Sequence, residues 1–179
     1  IYKKIIINTP LLIKNYISGN TSNINRLNLN ISDLNLKRLY YDKEISNNYD
    51  KQNKYNEKIS EDRKWVPIEI QNKNGIIKAE ARIKGHAKEH WDDNFSLKIK
   101  TKKNNYFNGM KRFALQTADD RGFLNEWYFH KYLKYNDLIN LKYFFIQPSI
   151  NGKKLKVYSV EENFDDLLLD RNKKKDGLI

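Results

Sequence analysis

WVPIEIQNKNGIIKAEARIK, residues 65–84, alternates apolar and polar side chains in two runs with an Asn-Gly pair between them. In the second run Ala79, Ala81 and Ile83 take one face, and Lys78, Glu80, Arg82 and Lys84 take the other. A period of two marks a strand with one buried face, and Asn-Gly accepts the left-handed backbone angles of a tight hairpin. The stretch therefore reads as an antiparallel hairpin. FSLKIKT (95–101) repeats the pattern, with Phe95, Leu97 and Ile99 inward and Ser96, Lys98 and Lys100 outward. RFALQT (112–117) adds a further strand, and residues 142–162 read as a second hairpin about Asn151-Gly152.

Two helices follow from apolar spacing. Residues 121–136 carry a dense apolar stripe, with Asp119 or Asp120 near the cap, and NFDDLLLDRN (163–172) reads as a short helix capped by Asn163. Upstream, RLNLNI (26–31) is a short strand, and Ser32 or Asp33 caps a helical turn through Tyr41. Residues 45–64 are polar and aperiodic and read as a surface loop. The expected organisation is an N-terminal extension, 1–64, partly irregular, followed by one domain from residue 65 onward. Its expected class is α+β, an antiparallel sheet with helix 121–136 packed on one face.

Composition narrows the function only in part. The 179 residues carry a formal charge of +12 and no cysteine, so disulfides and thiolate metal sites are excluded. A positive balance favours anionic partners such as phosphorylated ligands or nucleic acid. The abundance of Asn, Lys and Ile accounts for part of the charge by composition alone. No apolar run approaches the roughly 20 residues of a membrane span. The opening IYKKIIINTPLLIKNYI, interrupted by Lys3, Lys4, Asn8 and Pro10, makes a poor signal peptide.

RIKGHAKEHW (82–91) holds His86 and His90. A helical zinc motif needs Glu directly after the first histidine, where this chain has Ala87, so no metal is expected here. Gly85 carries more weight. It ends one basic strand before a loop returning as another, and its missing side chain lets backbone N–H groups approach an anion. Arg82, Lys84, Lys98 and Lys100 share the outward face of that strand pair.

At this point the motifs carry a resemblance. ARIKGHAKEHW, FSLKIKTKK, FNGMKRFALQ, DRGFLNEWYFHKYL, INGKKLKVYSVEENFDDLLLDRN and KKDGLI, in this order and spacing, resemble the N-terminal half of the CotH kinase family. These are bacterial proteins similar to the spore coat protein CotH, with an atypical protein-kinase-like fold. The likeness runs from Trp65 to Ile179 and is weaker over LNLNISDLNLKRL (27–39). The chain departs from the family at Lys156, often Gly there, and in the HAKEH loop.

The resemblance implies a small lobe of a kinase-like fold that holds ATP with Mg and delivers phosphate to Ser or Thr hydroxyls of a protein. In such a lobe a strand lysine pairs with phosphate and with a helix glutamate. The implied glutamate is Glu126. The implied lysine is Lys100, with Lys98 at the neighbouring Arg position; chain order leaves Lys111 as an alternative. VEENFDDLLL resembles the hinge, with backbone after Val160 meeting adenine and Glu161 or Glu162 the ribose. Arg82 and Gly85 are the remaining implied nucleotide contacts. The aspartates that orient the acceptor and hold Mg are expected beyond Ile179, which leaves the chain inactive by itself. Two other classes stay open: a kinase-like interaction domain without chemistry, and a nucleic-acid module using Tyr106, Phe107 and Tyr143, although a nucleic-acid partner is not expected. Trp91, Trp127 and Tyr128 are expected in the core.

Overall fold

The computed structural model describes residues 25–51, 63–72, 75–85 and 95–173. Its strands are β1 (Arg26–Asn30), β2 (Val66–Asn72), β3 (Gly75–Ile83), β4 (Leu97–Thr101), β5 (Arg112–Thr117), β6 (Tyr143–Ile150), β7 (Lys153–Lys154) and β8 (Tyr158–Glu162). Its helices are α1 (Asp33–Lys51), α2 (Asn125–Tyr135) and α3 (Asp166–Arg171), with a 3-10 turn at Asp119–Arg121. No helix among the described residues is long and apolar enough to cross a membrane.

Strands β2 to β5 pair antiparallel in chain order, β8 pairs with β5, and β6 with β8. β1 then pairs with β2 on one side and, in parallel, with β6 on the other. Seven strands thus close into a barrel, and β7 hangs on β6 as an extra strand. The alternation explains the interior. Leu27 and Leu29 of β1, Ala79 and Ala81 of β3 and Ile99 of β4 all point inward and are buried. Small Ala beside large Leu and Ile gives the strands room to curl, and closure removes the open edges of a flat sheet.

This corrects the expected fold. An antiparallel sheet with a helix packed on its face, like a kinase small lobe, is not what forms; the apolar faces pack against one another across the barrel. Helix α2 has no buried residue. It starts at Asn125, not 121, because the 3-10 turn ends at Gly122 in the left-handed region (φ 60°) and Phe123 follows at φ 53°. β1, placed by the sequence in an N-terminal extension, is a barrel strand, and α1 runs on to Lys51 where a loop was expected. Ser32 Oγ accepts the Asn35 N–H at 3.4 Å, which identifies Ser32 as its cap. Asp165, not Asn163, stands at the cap of α3.

The turn after β6 helps close the barrel. Asn151 and Gly152 adopt φ 49° and 82°, the left-handed pair expected of Asn-Gly. The Asn151 side chain also accepts the Ile31 N–H at 2.8 Å and donates to the Ile31 carbonyl at 2.7 Å. It therefore ties the end of β1 to the β6–β7 turn. Asn151→Ala loses both bonds and strains a positive φ, so we expect a loss of about 2–3 kcal/mol in urea unfolding. A change below about 0.5 kcal/mol would show that the tie does not matter.

Candidate functional site

Register across the barrel wall brings the polar faces of five strands together. Arg82 lies opposite Lys98, Lys98 opposite Ala114, Ala114 opposite Glu161, and Glu161 opposite Tyr143. One row along, Gln116 lies opposite Ser159, and the Lys84 N–H donates to the Ser96 carbonyl at 3.0 Å. The 3-10 turn and α2 then deliver Arg121, Glu126 and His130 beside this face. The His130 ring stacks on Tyr143 at 5.7 Å, which seats the helix over the start of β6.

A linked network results. Lys84 Nζ is 3.3 Å from Glu161 Oε2, the Gln116 amide donates to the same oxygen, and Arg121 Nη2 is 3.8 Å from it. Arg121 Nε donates to Gln116 Oε1 at 2.9 Å, and Arg121 Nη1 to Glu126 Oε1 at 2.8 Å. Each cation is thus held by a carboxylate, and Gln116 links the two pairs. Two donors bond to a single oxygen of Glu161 and a third cation stands near it, which fixes that carboxylate.

Burial lowers the Lys84 pKa below the ordinary lysine value; the Glu161 carboxylate opposes it, while Arg121 and Lys98 push the same way. The unfolded chain binds more protons in the window below the ordinary lysine pKa, so stability contributed by this group rises with pH through that window. In a chain labelled with carbon-13 at lysine Cε, we expect Lys84 to titrate below the ordinary value of about 10.4. Glu161→Gln should move it lower still. A Lys84 midpoint at or above the ordinary value would contradict the placement. Burial likewise lowers the His130 pKa against the pull of Glu126, Glu161 and Glu162, and its Nδ1 accepts the Leu141 N–H at 3.3 Å. Opposite Lys84, one residue before β4, Ser96 Oγ is fully buried with no hydrogen-bond partner among the described residues.

The residues expected from the sequence fall in three groups. Glu126 and Glu161 are in the network. Lys98 and Arg82 border it, and Arg82 lies over the Trp65 ring at 4.9 Å. Lys100 is elsewhere: its amine is 2.9 Å from Glu80 and 4.4 Å from the centre of the Trp65 ring. The structure therefore gives Lys100 and Glu126 different partners, Glu80 and Arg121. Glu162 is a buried structural carboxylate, accepting Arg171 at 2.6 Å and the Lys142 N–H at 2.8 Å. Gly85 takes φ 100°, and its carbonyl accepts Arg63 Nη1 at 2.6 Å. Lys111 is exposed, and His86, His90 and Trp91 lie outside the described residues. Tyr128 is exposed instead of in the core, because α2 presents that side to solvent.

The sequence motifs do not mark Lys84, Gln116 or Arg121 as site residues. The available signal was Gln116, an amide inside an apolar strand, and Arg121 directly before a helix bearing Glu126. No family model and no curated protein matches the chain.

Proposed function

We propose that this face holds the phosphates of ATP, and that the chain is the nucleotide-binding part of a CotH-like phosphotransferase acting on Ser or Thr hydroxyls of a protein. The observation that supports it most is Lys84, a partly buried amine at the end of β3 held by a carboxylate beside a second such cation, Arg121. Phosphoryl-transfer sites rely on positioned cations of this kind, because the chemistry asks mainly for orientation and charge stabilisation. The residues fit the group. Lys84 offers a compact charge and Arg121 a planar fork, with Lys98 adding positive potential at the border. Glu161 and Glu126 act as positioning residues, and the second Glu161 oxygen suits a sugar hydroxyl. Magnesium is assigned no ligand here. The motif resemblance adds to this reading; the barrel takes no support from a kinase small lobe.

A nucleic-acid module is disfavoured by one observation. Phe107 and Tyr143, two of the three aromatics such a module would stack on bases, are buried in the protein. Calorimetric titration of the chain with Mg-ATP, at 50 and 200 mM salt, separates the two. We expect one-to-one binding that weakens less than tenfold. No heat with Mg-ATP, together with oligonucleotide binding that falls by about a thousandfold over that range, would replace our proposal with the nucleic-acid one.

A further inference from the structure

The outer wall of the barrel around β1 is built largely from amides. Leu27 and Leu29 are buried, and Arg26, Asn28 and Asn30, which alternate with them, are exposed. The register sets Gln71 of β2 and Ser149 of β6 on either side of Asn28, and Lys154 of β7 opposite Ser149. Gln147 lies opposite Arg26 on the same face. These side chains line a cavity of about 330 Å³, which shares no residue with the Lys84 network. That volume is at the small end of the range for small-molecule sites.

The polar groups in this cavity are positioned but unsatisfied. Ser149 is 7% exposed, and its hydroxyl donates to Asn28 Oδ1 at 2.7 Å. Asn28 therefore keeps its amide oxygen towards Ser149 and leaves its N–H groups free. Among the described residues, the side chains of Asn30, Gln71 and Gln147 have no hydrogen-bond partner, and Arg26 and Lys154 form no ion pair. The Asn151 tie to Ile31 fixes the turn at the rim. There Gly152 leaves the entrance open, since nothing lies within 4 Å of where its Cβ would stand. No carboxylate among the described residues lines the cavity; Glu69, opposite Asn30, opens onto a different one beside the start of α1.

This chemistry selects a ligand class. Side-chain amides offer donors and acceptors together, which is what neighbouring sugar hydroxyls require. Arg26 brings a planar fork suited to a carboxylate or phosphate. Lys154 adds a second charge two strands away and two residues along, at about 12 Å by strand spacing. No aromatic ring among the described residues lines the cavity, which disfavours a stacked base. We propose that this face binds a sugar bearing one anionic group, with the anion on Arg26 and the hydroxyls on the amides of Asn28, Gln71 and Gln147. Lys154 closes the far side. The site is independent of the nucleotide reading of the Lys84 face.

The test follows the side-chain amide signals of the full chain, labelled with nitrogen-15, as sodium glucuronate is added. The signals of Asn28, Gln71 and Gln147 should shift together and saturate, while that of Asn136 on the far side of the fold order, at the end of α2, stays unmoved. Glucose and acetate, which carry the hydroxyls and the anion separately, should each bind at least tenfold more weakly. Arg26→Gln, at an exposed position, should weaken glucuronate at least tenfold with the urea midpoint unchanged. Glucose 6-phosphate serves as the second anionic sugar, and the tighter binder of the two identifies the anionic group. No saturating shift with either anionic sugar would overturn the proposal. Acetate binding as well as glucuronate, or an Arg26→Gln chain binding as well as the parent, would overturn it too.

Discussion

Lys84→Met should weaken Mg-ATP binding about a hundredfold while the barrel stays folded. Two cations face the proposed phosphates, and a hydrogen bond between charged groups contributes about 1.5–3 kcal/mol. Each ~1.4 kcal/mol is a tenfold change in Kd, so losing the more buried cation gives a factor of this order. Methionine keeps the length of the stem, and it removes a charge whose burial is unfavourable. Glu161 retains Gln116 and Arg121, so we expect unfolding free energy within about 1 kcal/mol of the parent. Arg121→Met should be comparable. Glu126→Gln, which only loosens Arg121, should weaken binding severalfold, and Lys100→Met should leave it within about twofold because Lys100 is engaged with Glu80. If Lys100→Met does the damage and Lys84→Met does not, the nucleotide lies farther along the face and Lys100 is the residue that holds it.

Leu29→Ala should cost about 3–4 kcal/mol. Leu29 is fully buried, lies between Ile70 of β2 and Ile150 of β6 in the register, and belongs to the strand that closes the barrel. Truncating a buried leucine typically costs 2–5 kcal/mol, the larger values where neighbours cannot move into the space. A closed barrel restricts such movement, since each wall strand is fixed on both sides. Leu34→Ala is the control: Leu34 is 79% exposed, and its loss should change stability by less than about 0.5 kcal/mol. Urea unfolding of both variants gives the comparison. Equal, small effects would mean that β1 does not close the barrel in solution.

The hairpins were legible because their signals are local. Alternation in residues 65–84 sorts inward Ala79, Ala81 and Ile83 from outward Lys and Arg, and Asn151-Gly152 announces its own turn. Barrel closure has no such local signal. Leu27 and Leu29 show that β1 buries one face, but nothing in RLNLNI says that it pairs in parallel with a strand about 120 residues later. The same limit applies to α2. Its apolar residues indicate an amphipathic helix, yet the side facing the barrel carries Glu126, Trp127 and His130, and the aromatic stripe faces outward. Spacing alone does not reveal which side a tertiary structure selects.

The network divides along the same line. Glu126 and Glu161 were found through motifs, and Lys84 was seen on the correct face of its strand. Its pairing with Glu161 depends on the register of β3, β4, β5 and β8 taken together, and each register is a long-range fact. The motif resemblance points to Lys100, but it lies two positions beyond Lys98 on β4 and turns to Glu80 on the neighbouring strand.

The most direct measurement follows the Cε signal of Lys84, in a chain labelled with carbon-13 at lysine Cε, as Mg-ATP is added. Phosphate oxygens replacing water at Lys84 favour its charged form. We therefore expect the Lys84 signal to shift and saturate at one equivalent of nucleotide, its titration midpoint to rise, and Lys153 to stay unmoved. A Lys84 signal unchanged through saturating Mg-ATP, with Lys84→Met binding nucleotide as well as the parent, would contradict the assignment of this face.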